Sequence, residues 1–139
     1  MLETSDVRDL KPTRRRGKYR NVKVRIGAQG FDSKMEAARF LQLMRDLDDG
    51  FIRCLRVKPV YKFACGTKYI PDFEYQHRVS KTRWLDVVED VKGFQTAVFR
   101  MKKRMMWHEY AIKVEVVTLP LDVVNAWLAT AAITALVRR

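Results

Sequence analysis

The sequence has 139 residues and a mass of 16.4 kDa, the size of one ordinary domain. Hydrophobic residues make up 47% of it, so the chain can bury a core, and extensive disorder is excluded. Lysine and arginine total 28 against 16 acidic residues, and the resulting formal charge of +12 favours a polyanionic partner such as nucleic acid.

The apolar pattern predicts a protein that does not enter a membrane. The longest apolar stretch, 126–137, is interrupted by two threonines and is shorter than a bilayer span. The charged amino-terminal residues differ from a secretory signal. Cys54 and Cys65 lack the spacing of a zinc site, so we expect reduced thiols and a cytoplasmic protein.

Residues 1–18 are predicted to form a flexible basic N-terminal arm, because they include Pro12 and Gly17 and few apolar residues. Such an arm suits contacts with DNA phosphates, since each contact releases counterions whatever the sequence. A solvated tail that happens to be basic is the alternative interpretation. The predicted DNA contacts in and beside the arm are Arg14, Arg15, Arg16, Lys18 and Arg20.

Residues 19–119 are predicted to form the folded domain, which begins with a strand over 22–26 where apolar and basic residues alternate. Gly27 and Gly30 bracket a turn, and an apolar stripe predicts a helix over 34–48. A strand-rich region follows. Its predicted strands cover 52–57, 60–63, 68–75 and 84–91, and a polar turn over 76–82 separates the last two.

A second helix is predicted over 95–110, with Val98, Met101 and Met105 on its inner face. After a strand over 112–118, residues 120–139 form an extra C-terminal segment whose helix either covers its own sheet or pairs with a second chain. The order of elements predicts an α/β fold, in which helices flank a mixed central β-sheet.

A pair of acidic residues lies on the two strands that precede the second helix. Asp72 is predicted at the middle of one strand, and Asp90 follows 18 residues later at the end of the next. Alternation along a strand places Asp90 and Lys92 on one face and Glu89 on the other. If the strands are neighbours, Asp72 and Asp90 converge beside a lysine. Paired carboxylates are ligands that Mg²⁺ prefers, and Lys92 would hold a phosphate oxygen or help to deprotonate a water.

Glu36 is a third candidate, at the start of the first helix. Ser33 and Glu36 have the spacing of a capping box, in which the glutamate serves only the helix terminus. A role in a metal site is equally compatible with its position, and the two roles do not exclude each other.

The segments FDSKMEA at 31–37, IPDF at 70–73 and VEDVKG at 88–93 carry these acids in order. This set resembles the PD-(D/E)xK nuclease superfamily. More specifically, it is similar to a family of small phage-encoded endonucleases described as Holliday-junction-resolvase-like. The resemblance covers about 18–117 and leaves the arm and the last helix outside.

The resemblance implies a restriction-endonuclease-like core and Mg²⁺-dependent DNA hydrolysis that leaves 5′-phosphates, with Mn²⁺ as a substitute. By the same resemblance Asp72, Asp90 and the Val91 carbonyl bind the metal, Lys92 is the catalytic lysine, and Glu36 is an auxiliary acid beside the metal. Asp90 departs from the glutamate that many members of the superfamily carry.

The implied partner is DNA, most simply a branched or four-way junction, in the cytoplasm of a host cell if the protein is phage-encoded. Two opposed cuts need two sites, so a homodimer is expected. A nicking or sequence-specific duplex endonuclease and a non-catalytic nucleic-acid-binding module are the alternatives. Further predicted DNA contacts are Lys34, Gln95, Arg100, Lys102 and Lys103.

Overall fold

The computed structural model describes the backbone of residues 22–137 and the side chains through Ala131. The predicted arm, including Arg14, Arg15, Arg16, Lys18 and Arg20, lies outside the described residues. The elements in chain order are β1 (Val24–Ile26), β2 (Gln29–Phe31), α1 (Lys34–Asp48), β3 (Ile52–Val57), β4 (Tyr61–Lys62), β5 (Lys68–Tyr69), β6 (Phe73–Arg78), β7 (Trp84–Val91), α2 (Ala97–Tyr110), β8 (Glu115–Val117) and α3 (Leu121–Val137).

A mixed four-stranded sheet in the order β3-β6-β7-β8 forms the centre of the molecule. The β3–β6 and β6–β7 pairs are antiparallel, whereas β7 and β8 run parallel and are joined through α2. This arrangement confirms the prediction of an α/β fold with a mixed sheet. The short β1–β2 and β4–β5 hairpins form two separate ribbons.

The first face of the sheet packs against α1. Its core brings together Ala37 and Leu43 of α1, Phe73 and Tyr75 of β6, and Val91 of β7. Helix α3 then packs on α1 and adds Leu128 to this core. Helix α3 thus packs within its own chain, mainly on α1, and pairing with a second chain stays a prediction.

The second face of the sheet packs against α2 and the β4–β5 ribbon, through Tyr69, Val88, Phe99 and Met106 among others. The predicted inner face of α2 is confirmed for Met105, which packs against this core, and is wrong for Val98 and Met101, which are 58% and 43% exposed. Helix α2 carries apolar side chains on two faces. The sheet buries the face that carries Phe99.

The predicted strand over 68–75 is two strands, and Asp72 lies just before β6 rather than in mid-strand. Pro71 follows β5 and has no N–H to donate, which favours a break in the ladder at this point. Strand β6 then continues to Arg78, so the turn before β7 is shorter than predicted. The acids consequently lie at one end of a long β6–β7 hairpin.

Two further predictions concern the cysteine thiols and membrane-spanning helices. Cys54 and Cys65 are both free and exposed. Between residues 22 and 137, no helix has the combination of length and apolar character needed to cross a bilayer.

Candidate metal and catalytic site

The pairing of β6 with β7 brings the two strand-end acids together. Phe73 pairs with Glu89, so continuing the antiparallel register by one residue places Asp72 opposite Asp90. Directly opposed residues have Cβ atoms about 5 Å apart. An oxygen of Asp72, Oδ2, accepts a hydrogen bond of 2.7 Å from the backbone N–H of Val91. The carboxylates of Asp72 and Asp90 thus meet where the hairpin opens.

The electrostatics of this pair favour a bound cation. Burial raises the pKa of Asp72, a hydrogen bond shared with Asp90 and the charge of Asp90 raise it further, and Glu36 adds to the same effect. Asp90 is only 2% exposed, so water screens the repulsion poorly. Without a cation, the raised pKa of Asp72 favours the protonated form of its carboxyl group. A divalent ion bound to the pair would take the place of that proton.

Lys92 lies on the Asp90 side of the strand. Its Nζ is 3.3 Å from Oδ1 of Asp90 and 5.2 Å from the centroid of the Phe99 ring. The lysine side chain is 35% exposed, whereas that of Asp90 is 3% exposed. Its ammonium group is therefore held by the protein while remaining accessible to a ligand.

Glu89 points to the opposite face, as strand alternation predicts. Arg39 of α1 donates to it from Nε at 2.7 Å and from a terminal nitrogen at 3.1 Å, and the Tyr75 hydroxyl donates at 2.8 Å. This carboxylate is consequently neutralised within the core of the α1 face. Its contacts favour Asp90 as the second acid of the site.

Glu36 begins α1 at the same end of the sheet. Its backbone N–H donates to Oγ of Ser33 at 3.1 Å, so Ser33 caps the helix as the spacing predicts. Burial raises the pKa of Glu36, although hydrogen bonds from the Asp32 backbone and the Ser33 side chain oppose that change. The influence of Glu36 on the pKa of Asp72 indicates that its carboxylate lies near the acid pair. Both roles considered for Glu36 are compatible with this position.

Tyr69 is also part of this constellation, although it belongs to none of the three sequence segments that carry the acids. Its hydroxyl donates to Oδ2 of Asp90 at 2.7 Å, and the residue is 4% exposed. Burial and the charge of Asp90 raise the pKa of Tyr69, so the phenol stays protonated and remains a donor. No local motif signals this contact, because it depends on the β4–β5 ribbon folding over the second face of the sheet.

A cavity of about 680 Å³ opens at this end of the sheet, and the acid pair itself, Asp72 and Asp90, is not part of its lining. Glu36, Val91 and Lys92 line it, together with Lys34, one of the predicted DNA contacts. Gln95, Arg100 and Lys103 instead line a second cavity of about 540 Å³ beside α2, and the half-buried Lys102 lines neither.

The carboxylates of the site can be compared with the ligands that the expected Mg²⁺ requires. In the described part of the chain, no three His, Cys, Asp or Glu side chains are grouped so as to enclose a metal ion. Mg²⁺ commonly binds through one or two carboxylates, and water and substrate phosphate oxygens complete its shell. Asp72 and Asp90 fit that pattern of an open site.

Residues 16–122 match the family described as "Protein of unknown function (DUF1064)". The chain belongs to the DUF1064 family. The matched residues include Glu36, Asp72, Asp90 and Lys92, so the whole acid–lysine constellation lies within the DUF1064 region, whereas most of α3 lies beyond it. No curated protein and no solved structure matches the chain.

Proposed function

We propose that this DUF1064 protein is a Mg²⁺-dependent DNA endonuclease that hydrolyses phosphodiester bonds and leaves 5′-phosphates. The observation that carries the proposal is the convergence of Asp72 and Asp90, buried and mutually repulsive, beside the accessible ammonium group of Lys92. The formal charge of +12 supports a polyanionic substrate. A purely structural pair of carboxylates would be neutralised as Glu89 is.

The role proposed for each residue of the site follows from its position relative to the acid pair. Asp72, Asp90 and the Val91 carbonyl hold Mg²⁺, or Mn²⁺ in its place, and Glu36 assists from the start of α1. The metal, when bound, stabilises charge on the phosphodiester and lowers the pKa of a bound water. Tyr69 keeps one oxygen of Asp90 occupied and so fixes the direction of the other. Lys92 positions the water or a phosphate oxygen at the cavity wall.

The proposal includes the PD-(D/E)xK likeness and a restriction-endonuclease-like core. Two features support it: the mixed sheet has a helix on each face, and the acids stand opposite each other on neighbouring strands. Asp90 occupies the second acidic position, and Glu89 is already engaged by Arg39.

Cleavage assays with defined DNA substrates test this function. Four-way junction, duplex and single-stranded DNA are incubated with the full chain in Mg²⁺, Mn²⁺, Ca²⁺ or EDTA. We expect cleavage in Mg²⁺ and Mn²⁺ and none in Ca²⁺ or EDTA, because Ca²⁺ takes similar ligands with looser geometry. Preference for the junction supports a resolvase-like enzyme. Preference for duplex DNA supports a nicking or sequence-specific enzyme instead.

Variants identify the residues that act. Asp72→Asn, Asp90→Asn and Lys92→Ala should each reduce cleavage by at least about a hundredfold while junction binding persists. Asp86→Asn is a matched control, since Asp86 lies on the same strand and face as Asp90 but is exposed and bonded to Gln76 at 3.0 Å. Full activity in EDTA would exclude the metal mechanism. DNA binding without cleavage under every condition would favour a non-catalytic binding module.

Assembly is a separate part of the proposal. One chain supplies a single acid–lysine set, so two opposed cuts in a junction require two copies, and we propose a homodimer related by a two-fold axis. Light scattering at micromolar concentration should give twice the 16.4 kDa chain mass. A monomer that still cuts both strands of a junction would contradict the dimer.

A further inference from the structure

One face of α2 presents positive charge and an aromatic ring to solvent. The side chains on this face lie at positions 100, 103, 104, 107 and 108, so those three or four residues apart form two adjacent rows along about 12 Å of the helix. They are Arg100, Lys103, Arg104, Trp107 and His108. All five line the second cavity, of about 540 Å³.

The remaining lining residues are Gln95, Lys113 and Val114, so no acidic side chain in the described part of the chain lines this cavity. Among the described residues, none of the four lysines and arginines that line it forms an ion pair. This surface, which we call the α2 groove, therefore attracts anions without internal compensation.

Trp107 is 58% exposed, which is unusual for the largest apolar side chain. Within the described part of the chain its indole takes part in no ring stack and no cation–π contact. Trp84 is different, because the guanidinium of Arg53 covers its ring at 4.3 Å. The Trp107 ring is thus available to a planar ligand.

We propose that the α2 groove binds an unpaired stretch of DNA, with a base stacked on Trp107 and its phosphates on Arg100, Lys103, Arg104 and Lys113. Aromatic stacking together with a basic track is how proteins bind single strands without reading sequence. Duplex bases are stacked on each other and do not offer a face to an indole. The charge of the groove and its exposed ring therefore favour single-stranded over duplex DNA.

This inference rests on the proposed function and adds a substrate feature to it. Gln95 lines the α2 groove and Lys92 lines the other cavity, only three residues earlier in the chain. A strand that leaves the acid pair can therefore enter the α2 groove across the start of α2. The groove would direct cleavage to DNA that has an unpaired segment beside the scissile bond.

Binding measurements in EDTA test the groove without any cleavage. Fluorescence anisotropy with labelled dT12 and with a duplex of equal length gives the affinity of the full chain for each. We expect Trp107→Ala to weaken dT12 binding about tenfold and to leave duplex binding unchanged. Trp107→Tyr should restore most of the affinity, because tyrosine keeps an aromatic face.

Trp84→Ala is the control, since it removes an indole from a different surface. Unchanged dT12 affinity in Trp107→Ala, or equal losses for dT12 and duplex, would overturn the inference. The proposed function fails in a different way, through absence of metal-dependent cleavage while dT12 binding that depends on Trp107 persists. That outcome would leave the groove as a single-strand site on a binding protein.

Discussion

Glu89 and Asp90 are neighbours in sequence and are 1% and 2% exposed. Their side chains lie on opposite faces of the sheet and make different contacts there. Each accepts a hydrogen bond from a buried tyrosine, Tyr75 on the α1 face and Tyr69 on the α2 face. Glu89 also receives two hydrogen bonds from Arg39. Asp90 has one contact with a more exposed lysine and faces a second acid.

The difference separates a structural carboxylate from a candidate catalytic one. Burial is equal, so burial alone does not identify a site. What distinguishes the Asp72–Asp90 pair is that, when both carboxyl groups are ionised, its negative charge exceeds the positive charge of the Lys92 beside it. Such a surplus is costly in a folded chain unless a ligand cation offsets it.

Removing the arginine should produce the largest effect on stability. Arg39→Ala leaves Glu89 buried without a cation, which we expect to cost about 3 kcal/mol of unfolding free energy. Denaturant titration measures this loss. Arg45→Ala is the control, since its ion pair with Asp49 is exposed and 3.9 Å long. Equal stability of both variants would contradict the structural role of Glu89.

The acid pair should make the metal-free protein less stable as the pH rises from 3.8 to about 9. Because burial raises the pKa of Asp72 in the folded state, the unfolded chain loses this proton first. Stability in EDTA should therefore fall as the pH rises above the ordinary value of 3.8 toward the raised value. Asp72→Asn should flatten this dependence, because asparagine does not titrate. Its side-chain oxygen can still accept the hydrogen bond from the Val91 N–H, so the variant should fold. Thermal unfolding across pH measures it, and an unchanged slope would contradict the repulsion.

The two tyrosines allow a matched comparison of the faces. Tyr69→Phe removes a hydrogen bond to Asp90, so we expect about tenfold more Mg²⁺ to be needed for half-maximal cleavage. Tyr75→Phe removes the equivalent bond to Glu89 and should lower stability by about 1 kcal/mol without changing the Mg²⁺ requirement. If both variants lose only stability, Tyr69 does not position Asp90.

Glu36→Gln should have the smallest effect on stability, below about 0.5 kcal/mol, because glutamine also serves in a capping box. Its cleavage rate should nevertheless fall, since the negative charge of Glu36 reaches Asp72. Thermal unfolding and cleavage assays on the same preparation separate the two roles. Unchanged cleavage would leave capping as the only role of Glu36.

Local signals in the sequence were sufficient to predict the bounds of α1, β3 and β7, which the structure confirms. They were also sufficient to place Asp90 and Lys92 on one face. They were insufficient for α2, where two apolar stripes compete and packing on the sheet decides between them. Tyr69 and Arg39 were missed because their partners lie 21 and 50 residues away in the chain.

The β6–β7 hairpin also determines how this site tolerates insertions. Its pairing is continuous from Arg78 and Trp84 at the turn to Phe73 and Glu89, so the alignment of the acids is inherited from a turn roughly 20 Å away. A loop there could lengthen during evolution if the added residues bulged outward. A single residue absorbed into the pairing would instead rotate Asp72 away from Asp90, because side chains alternate between faces. Relatives that keep the acids should therefore vary in this turn only in ways that preserve the register.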